Sequence, residues 1–211
     1  NQRECDIYDE RSVHALVRHR DSGLTAGAVR LILNCQKNHK SLFPIEEHSG
    51  HAFRAHALSQ HQVPRQQIAE VSRFAVTKNF NKEINGYYER CDEGSANGKE
   101  HACALGGREL MPNVTLGLIA MLFRISAEHG ITHWYALMAT SLFRLLDRFG
   151  MRFSPVGSLV DYHGWRQPMM ASVESLLDGV KEKRPDFWQL IVDLSDGYIG
   201  MDVINQQKRL A

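Results

Sequence analysis

The sequence predicts a mixed α/β fold in which helices pack against a β-sheet, and two features of the chain carry this prediction. Its first half alternates short runs rich in β-branched residues with turn signals, a pattern typical of strands. Its second half repeats apolar residues at helical spacing, interrupted by further strand-like runs. With 211 residues, 43% of them hydrophobic, the chain is long enough to build one domain around a sizeable core.

Three strands are predicted in the first half of the chain. Residues 12–20 and 25–33 are strand-like runs on either side of the turn signal Asp21-Ser22-Gly23, and they predict an antiparallel hairpin. Residues 68–77 alternate apolar and polar side chains, which indicates a central strand. Two polar segments rich in turn residues are expected to form loops or short helices: 34–64 and 78–108.

The second half predicts helices and two more strands. Residues 113–129 carry an apolar stripe, with Asn113 as the expected N-cap and Gly130 as the C-terminal stop. A strand follows, and then a helix that ends at Gly150 and has one apolar stripe: Leu142, Leu145, Leu146 and Phe149. The remaining predicted elements are two strands and two amphipathic helices: strands over 132–138 and 152–162, helices over 173–180 and 187–194.

Composition and charge exclude several classes of protein. The formal net charge is +1, from 25 basic and 24 acidic residues, whereas nucleic-acid-binding domains usually carry a clear basic excess. No uncharged apolar run approaches the ~18–20 residues of a membrane span, and the first residues have no secretory apolar region. The four cysteines contain no C-x-x-C pair, so we expect reduced thiols in a cytoplasmic protein.

Five histidines fall in the polar segment 34–64. Their spacing fits no compact zinc pattern, so we expect solvated side chains and no bound metal. They are His39, His48, His51, His56 and His61.

Four short segments, in this order along the chain, resemble the acyl-homoserine-lactone synthase branch of the GNAT superfamily of acyltransferases. They are an acidic segment with carboxylates three residues apart, a Gly-x-x-Arg-Leu strand, a Phe-Pro step and a Glu-x-Ser-Arg-Phe signature, at residues 4–9, 27–31, 43–44 and 70–74. The resemblance implies a GNAT-like fold with a mixed, mostly antiparallel central sheet flanked by helices. It extends to about Gly164, so we expect a core over 1–164 and a helical extension over 165–211 within one acyltransferase domain.

Three further segments resemble one sub-branch, the bacterial acyltransferases associated with exosortase and PEP-CTERM sorting systems: Leu110-Met111-Pro112, residues 127–136 and Arg184-Pro185-Asp186. The N-acyl amino acid synthases are similar too. The resemblance implies transfer of a medium- or long-chain fatty acyl group from a thioester to the amine of an amino acid or a derived acceptor. Three alternatives stay open: an acyl-homoserine-lactone synthase proper, a non-catalytic lipid-sensing module of the same fold, and an acetyl-CoA-dependent N-acetyltransferase.

The acyl donor is inferred from a departure from the wider superfamily. Acetyl-CoA-dependent relatives have a Gln/Arg-x-x-Gly-x-Gly/Ala segment that cradles pyrophosphate at a helix N-terminus. No such segment precedes the predicted helix at Asn113, and Gly106-Gly107-Arg108 matches only in part. We therefore expect a phosphopantetheine-linked donor on an acyl carrier protein, with acyl-CoA as the second choice and no permanently bound cofactor. The lactone synthases also carry an Arg…Phe…Trp segment ahead of the acidic motif that is not found here, which argues against lactone formation.

The family signature supplies the candidate catalytic residues. Acyl transfer to an amine requires a base, and Glu70 at the start of the signature is the candidate, grouped with Ser72 and Arg73. Alternation along a strand predicts Glu70, Ser72 and Phe74 on one face and Arg73 on the other, unless a bulge intervenes. A bulge near 74–76 would aim a backbone N–H at the thioester carbonyl.

The resemblance also implies binding residues around this signature. Asp6, Asp9, Arg30 and Arg73 are expected to form an electrostatic cluster that shapes the amine pocket and keeps the aspartates ionised. The expected substrate-binding residues are Asp6, Asp9, Arg30, Phe43, Phe74, Ala75, Val76 and Met138. Basic residues on two predicted helices form a candidate docking patch for an acidic carrier protein: Arg124, Arg144 and Arg148.

Overall fold

A single seven-stranded sheet organises the protein in the computed structural model, which describes residues 5–35, 41–50, 63–78, 80, 82–84 and 107–194. The strands are β1 (Ser12–Arg18), β2 (Thr25–Ile32), β3 (Ile68–Val76), β4 (His133–Met138), β5 (Ser154–Pro155), β6 (Val160–Asp161) and β7 (Trp165–Ser172). The helices in these ranges with printed bounds are α1 (Pro44–His48), α2 (Gly107–Glu128), α3 (Thr140–Arg148), α4 (Val173–Lys183) and α5 (Pro185–Leu194).

The strand order is β1-β2-β3-β4-β7-β5, and β6 pairs with β7 off this path. Every recorded pairing is antiparallel except the one between β3 and β4, which are parallel neighbours in the middle of the sheet. The mixed, mostly antiparallel sheet with flanking helices confirms the predicted fold class.

The two faces of the sheet are covered differently because side chains alternate along each strand. The larger apolar cluster lies on the α2 face, where Val29, Leu31 and Ala69 pack with Leu118 and Leu122 of that helix. The smaller cluster lies on the α1 face and consists mainly of these buried residues: Tyr8, Ile32, Phe43, Ile45, Ile68, Tyr135, Val156 and Met170. We call these the α2 face and the α1 face of the sheet.

The bounds of the first four strands follow the prediction within two residues. The hairpin of β1 and β2 turns at Gly23, which has a φ of 67° and so uses the left-handed region open to glycine. The predicted strand over 68–77 is β3, and the predicted strand over 132–138 is β4. Local alternation and turn residues were therefore sufficient to place these elements.

Helix α2 begins at Gly107, six residues before the predicted N-cap at Asn113. The backbone stays helical through Pro112, which has no N–H to donate, so one intrahelical hydrogen bond is given up. Asn113 is thus an interior helical residue, and the expected start there is wrong. The pyrophosphate motif is also not found in the sequence ahead of Gly107.

Strand β7 was missed by the sequence prediction, and it changes the expected internal boundary. Its sequence, Trp-Arg-Gln-Pro-Met-Met-Ala-Ser, contains Pro168 and does not alternate, both of which argue against a strand. In the structure β7 pairs with the whole of β4, from Met138↔Gln167 to His133↔Ser172. The segment 165–211 is therefore not a helical extension from its start. The predicted strand over 152–162 is present only as the two-residue strands β5 and β6.

The end of α3 packs backbone to backbone against α4. Gly150 has a φ of 85° and was correctly expected as the stop of this helix. A Cβ placed on Gly150 would lie 2.0 Å from the carbonyl oxygen of Gly179, and one on Gly179 would lie 2.0 Å from the carbonyl oxygen of Gly150. Only glycine at both positions allows this approach.

Within the described part of the chain, no helix combines the length and the apolar character needed to cross a membrane.

Candidate active site

The two parallel strands at the centre of the sheet, β3 and β4, diverge, and a cavity lies between them. Their recorded pairs run from Ile68↔His133 to Val71↔Ala136, and no later pair follows in the described residues, although β3 continues to Val76. A cavity of about 500 Å³ lies at this divergence and reaches both faces of the sheet. The topology thus creates an opening through the sheet itself.

A β-bulge in β3 lies at the edge of this opening. Ala28 pairs with Ala75 and Arg30 pairs with Ser72, so Arg73 and Phe74 both lie opposite Val29. Arg73 has a φ of 48°, a left-handed conformation that costs a non-glycine residue free energy. The bulge therefore begins one residue before the region where it was expected.

The bulge corrects the predicted distribution of side chains on β3. Arg73 points to the α1 face, where it reaches Asp6, and not to the face opposite Ser72. Phe74 packs against the apolar cluster of the α2 face. An extra residue shifts the alternation by one, so both side chains exchange the faces that an unbroken strand would give them.

A buried guanidinium forms the centre of the charged cluster on the α1 face. Arg30 is only 3% exposed. Its Nη1 donates to Asp6 Oδ1 at 2.8 Å and to Asp9 Oδ1 at 2.7 Å, and its Nη2 donates to Ser72 Oγ at 3.1 Å. A buried charge needs such partners, because an unpaired one would pay a large desolvation cost.

Arg73 completes this cluster from the bulge. Its Nη2 lies 3.0 Å from Asp6 Oδ2, and its Nη1 lies 3.5 Å from Asp9 Oδ1. The backbone N–H of Asp6 and then the guanidinium of Arg30 lower the pKa of Asp9 to about 2, so this carboxyl is ionised at neutral pH. Two aspartates face two arginines, and the structure brings together the four charged residues that the resemblance implied.

Glu70 lies beside this cluster but has a different environment. The side chain is 4% exposed, and its Oε2 accepts a hydrogen bond of 2.9 Å from the backbone N–H of Ile45 in α1. Burial raises the pKa of Glu70 to about 8, and the hydrogen bond from Ile45 only partly opposes this effect. A carboxyl with a pKa near neutrality is suited to exchange protons during a reaction.

The cavity has a polar wall and an apolar wall. The polar wall, on the α1 face, includes Glu70 and three members of the charged cluster: Asp6, Arg30 and Arg73. The apolar wall includes side chains from β3, α2, β4, α3 and the following loop, among them Phe74, Ile119, Leu122, Met138, Leu142, Leu146, Met151 and Phe153. Of the predicted substrate-binding residues, Phe74 and Met138 line this apolar part.

Four predicted substrate-binding residues do not line the cavity: Asp9, Phe43, Ala75 and Val76. Phe43 is fully buried, with its ring edge-on to Tyr135 at 5.8 Å and the guanidinium of Arg65 at 5.2 Å from its centroid. Ala75 is exposed and Val76 packs against the core of the α2 face. The structure thus gives Phe43 a supporting position beneath α1, because the Phe-Pro step starts that helix.

Several residues of the cavity wall were not singled out from the sequence as site residues, and four of them lie in α1 and around the β6–β7 turn. His48 of α1 stacks on Tyr162 with ring centroids 4.5 Å apart. Tyr162 and His163 belong to the tight turn between β6 and β7, and Arg166 lies at the start of β7. His48 is exposed, as expected, but it lies at the end of α1 rather than in a loop. The unpredicted strand β7 explains why the turn could not be placed near the site from sequence.

The other four histidines of the polar segment, residues 39, 51, 56 and 61, lie outside the described residues. Across the ranges that the structure describes, no group of three or more His, Cys, Asp or Glu side chains could hold a metal ion.

The three candidate docking arginines do not share one environment. Arg144 and Arg148 are exposed on α3, one turn apart. Arg124 lies on α2, where its Nε donates to Glu128 at 2.9 Å and its Nη1 donates to the carbonyl oxygen of Leu194 at 3.2 Å. The predicted apolar stripe of α3 is also not fully buried, since Leu145 is 37% exposed.

Comparison with known proteins agrees with this architecture. Residues 1–85 match the sequence profile of the acetyltransferase (GNAT) domain family. The matched residues include β1, β2 and β3 with its bulge, and they make up less than half of the chain. A search of curated protein sequences found no match.

Solved structures of similar fold extend the comparison beyond residue 85. TofI, in a ternary complex with an inhibitor and MTA, is 18% identical, with 84% of this chain and 74% of that chain covered and a TM-score of 0.53. BjaI with MTA, a CoA-dependent acyl-homoserine lactone synthase, is 17% identical, with 92% and 69% covered and a TM-score of 0.50. At these identities the likeness establishes a shared fold. FeeM, an N-acyl amino acid synthase from uncultured soil microbes, has a TM-score of 0.46 and supports no inference about this chain.

Proposed function

We propose that this protein transfers a medium- or long-chain fatty acyl group from a carrier-protein thioester to the amine of an amino acid or a derived acceptor. The observation that carries the proposal is the cavity through the sheet, which joins an apolar wall to a polar wall at the β3–β4 divergence. An acyl chain fits the apolar side, and a charged amine fits the side that holds Glu70 and the charged cluster. The reacting carbonyl would lie between them, next to the bulge.

Glu70 is the proposed general base. The α-amino group of an amino acid has a pKa of ~8, close to that of Glu70, so a proton can pass between them with little free-energy difference. The amine nitrogen then forms the C–N bond, the C–S bond breaks, and the pantetheine sulfur leaves as a thiolate. In its ionised form, which is the minor form at neutral pH because its pKa is about 8, Glu70 takes one of the two protons that the ammonium loses. The other proton passes to solvent or to the thiolate.

The charged cluster has a positioning role in this proposal. Asp6 lines the cavity and is held by Arg30 and Arg73, so its carboxylate can face an ammonium without moving. The backbone at Arg73 is left-handed and forms part of the bulge. A bulge interrupts the regular hydrogen bonding between two strands, so backbone N–H groups there can point elsewhere. We propose that one of these N–H groups polarises the thioester carbonyl, the usual means of stabilising developing negative charge.

A carrier protein is the proposed source of the acyl group. The chain has no pyrophosphate motif before Gly107, which argues against a donor bound through its diphosphate. Helix α3 starts directly after β4, and Ala139 between them lines the cavity. The exposed Arg144 and Arg148 on this helix would therefore lie close to the entry of a carrier-linked thioester and would attract an acidic partner.

The first test compares acyl donors with the purified protein and a mixture of amino acids. We expect a hexadecanoyl-loaded carrier protein to be consumed at least tenfold faster than acetyl-CoA, with N-acyl amino acids as the product seen by mass spectrometry. The Glu70→Gln variant should lower this rate by ~10²-fold, the usual contribution of a general base. Equal rates with acetyl-CoA would contradict the carrier donor, and equal turnover by the variant would remove Glu70 from the mechanism.

The second test addresses carrier docking. Replacing both Arg144 and Arg148 with Glu should raise the KM for the carrier-bound donor and leave a small acyl-pantetheine donor unaffected. The effect should shrink as salt rises, because exposed charges are screened beyond ~8 Å at physiological ionic strength. Arg18→Glu, on the edge strand β1, is a control that reverses one charge of the same kind at another exposed arginine. Slowing of both donors would indicate damage to α3 and not lost docking.

Two further parts of the proposal concern the setting of the protein. We propose a cytoplasmic location, which is supported by the cysteines: the four contain no C-x-x-C pair and no dense framework, and the cytosol keeps thiols reduced. The place among bacterial exosortase-associated acyltransferases rests on the sequence segments that resemble that branch.

A further inference from the structure

Arg166 at the start of β7 is a cation of the cavity wall with no ion pair among the described residues. Its Nη2 donates to the carbonyl oxygen of His163 at 3.3 Å, and its side chain is partly buried. The other two arginines of the wall, Arg30 and Arg73, are held by Asp6 and Asp9. Within the described part of the wall, Arg166 is thus the arginine whose charge no carboxylate offsets.

The strand register places Arg166 on the same face of the sheet as Glu70. Glu70 pairs with Tyr135, and Tyr135 pairs with Met170. Residues directly opposite each other share a face, and so do residues an even number apart along a strand. Arg166 is four residues before Met170, so it also lies on the α1 face. The two residues are ~13 Å apart along β7. This position is beyond the last β4–β7 pair, Met138↔Gln167, and both Met138 and Arg166 line the cavity.

The charge of the polar wall indicates what Arg166 would bind. The aspartates and arginines of the cluster offset one another, and burial keeps Glu70 largely uncharged at neutral pH because its pKa is about 8. Arg166 therefore leaves this wall with an uncompensated positive charge. A guanidinium presents two parallel N–H donors, which match the two oxygens of a carboxylate.

We propose that Arg166 binds the α-carboxylate of the acceptor, so that the enzyme selects amines that carry a free carboxylate over their esters. This inference rests on the proposed function and assigns its acceptor recognition to a residue of the β6–β7 hairpin. The stacked pair of His48 and Tyr162 forms the adjoining wall and would contact the acceptor's side chain. Arg166 is a specificity-determining residue and takes no part in proton transfer.

A phosphate of the donor is the other anion that could reach this guanidinium. The two sources differ in which substrate loses affinity when Arg166 is changed. A carboxylate contact affects the acceptor and disappears when the acceptor is an ester. A phosphate contact affects only donors that contain phosphate, such as carrier-linked phosphopantetheine, and spares an acyl-N-acetylcysteamine.

The experiment measures steady-state kinetics of Arg166→Gln with L-phenylalanine, L-leucine and L-methionine and with their methyl esters. We expect the KM for the free amino acids to rise ~10- to 100-fold, the size of a lost charge-assisted hydrogen bond, while the esters are unaffected. Arg166→Lys should recover part of the affinity because it keeps the charge. Arg152→Gln is the matched control, since that side chain is 75% exposed, lies outside the cavity wall and pairs loosely with Asp147.

The outcomes separate this inference from the proposed function. Equal losses for acids and esters, or losses that follow the donor's phosphate, would overturn the carboxylate assignment. So would wild-type enzyme that uses esters as well as acids. Calorimetric titration of the same amino acids without donor gives a readout independent of turnover. Arg166-dependent binding without any acyl transfer would support the inference and reject the proposed function.

Discussion

Replacement of Glu70 by Gln provides a direct test of the buried carboxyl through protein stability. Gln has the shape of the protonated acid, and its Oε can accept the hydrogen bond that Ile45 now donates. The native protein keeps a proton on Glu70 up to a pH of about 8, whereas the unfolded chain loses it near the ordinary value of 4.5. Between these two pH values the native state binds more protons than the unfolded chain does. The free energy of unfolding that Glu70 contributes to the wild type therefore falls as pH rises.

The size of the effect follows from the proton difference. One proton held by the native state and not by the unfolded chain changes the free energy of unfolding by about 1.4 kcal/mol per pH unit. From pH 5 to pH 8 the wild type should therefore lose on the order of 4 kcal/mol relative to Glu70→Gln, which does not titrate there. Near pH 5 the two proteins should be similar in stability, and at pH 8 the variant should be the more stable one.

Urea unfolding at several pH values between 5 and 9, followed by tryptophan fluorescence, measures this difference. Trp134 is buried and hydrogen-bonded to Ser126, so its emission should change on unfolding. Glu174→Gln removes the same charge from the exposed first turn of α4 and serves as a control. A difference between wild type and Glu70→Gln that stays constant within about 1 kcal/mol from pH 5 to pH 8 would refute the buried, protonated carboxyl.

Two backbone predictions follow from the glycines and the bulge. Gly150→Ala should lower the free energy of unfolding by about 2–3 kcal/mol and the Tm by about 5–10 °C, because its Cβ meets the Gly179 backbone. Gly130→Ala is the control, since its φ of 64° is similar but nothing lies within 4 Å of the added carbon; equal losses would mean that strain and not contact is responsible. At Arg73, with its φ of 48°, a Gly variant should be about 1 kcal/mol more stable than an Ala variant in denaturant unfolding, while both lose acyl transfer equally. A more stable Ala variant would be inconsistent with the left-handed backbone.

Much of the fold follows from local sequence patterns. β1, β2, β3 and β4 lie within two residues of their predicted ranges, because alternation and turn residues depend only on neighbours along the chain. The same local patterns did not predict strand β7. Its Pro168 and adjacent methionines resemble no isolated strand, and pairing with β4 supplies the stabilisation that local propensity does not.

For the candidate site, too, the sequence predicted some features and the tertiary structure was needed for others. The sequence resemblance named Asp6, Asp9, Arg30 and Arg73, and the structure brings these side chains together; their roles in binding stay a prediction. Phe43 was named as well, but the fold buries it beneath α1, away from the cavity wall.

The sequence by itself determined which residues alternate, where turns occur and which short motifs are present. Only the tertiary structure decided that β3 bulges at Arg73, because a bulge is defined by the register with β2. Likewise the raised pKa of Glu70 comes from burial under α1, and Arg166 reaches the cavity because β7 lies beside β4. Register and burial depend on partners distant in the chain, so local sequence patterns cannot fix them.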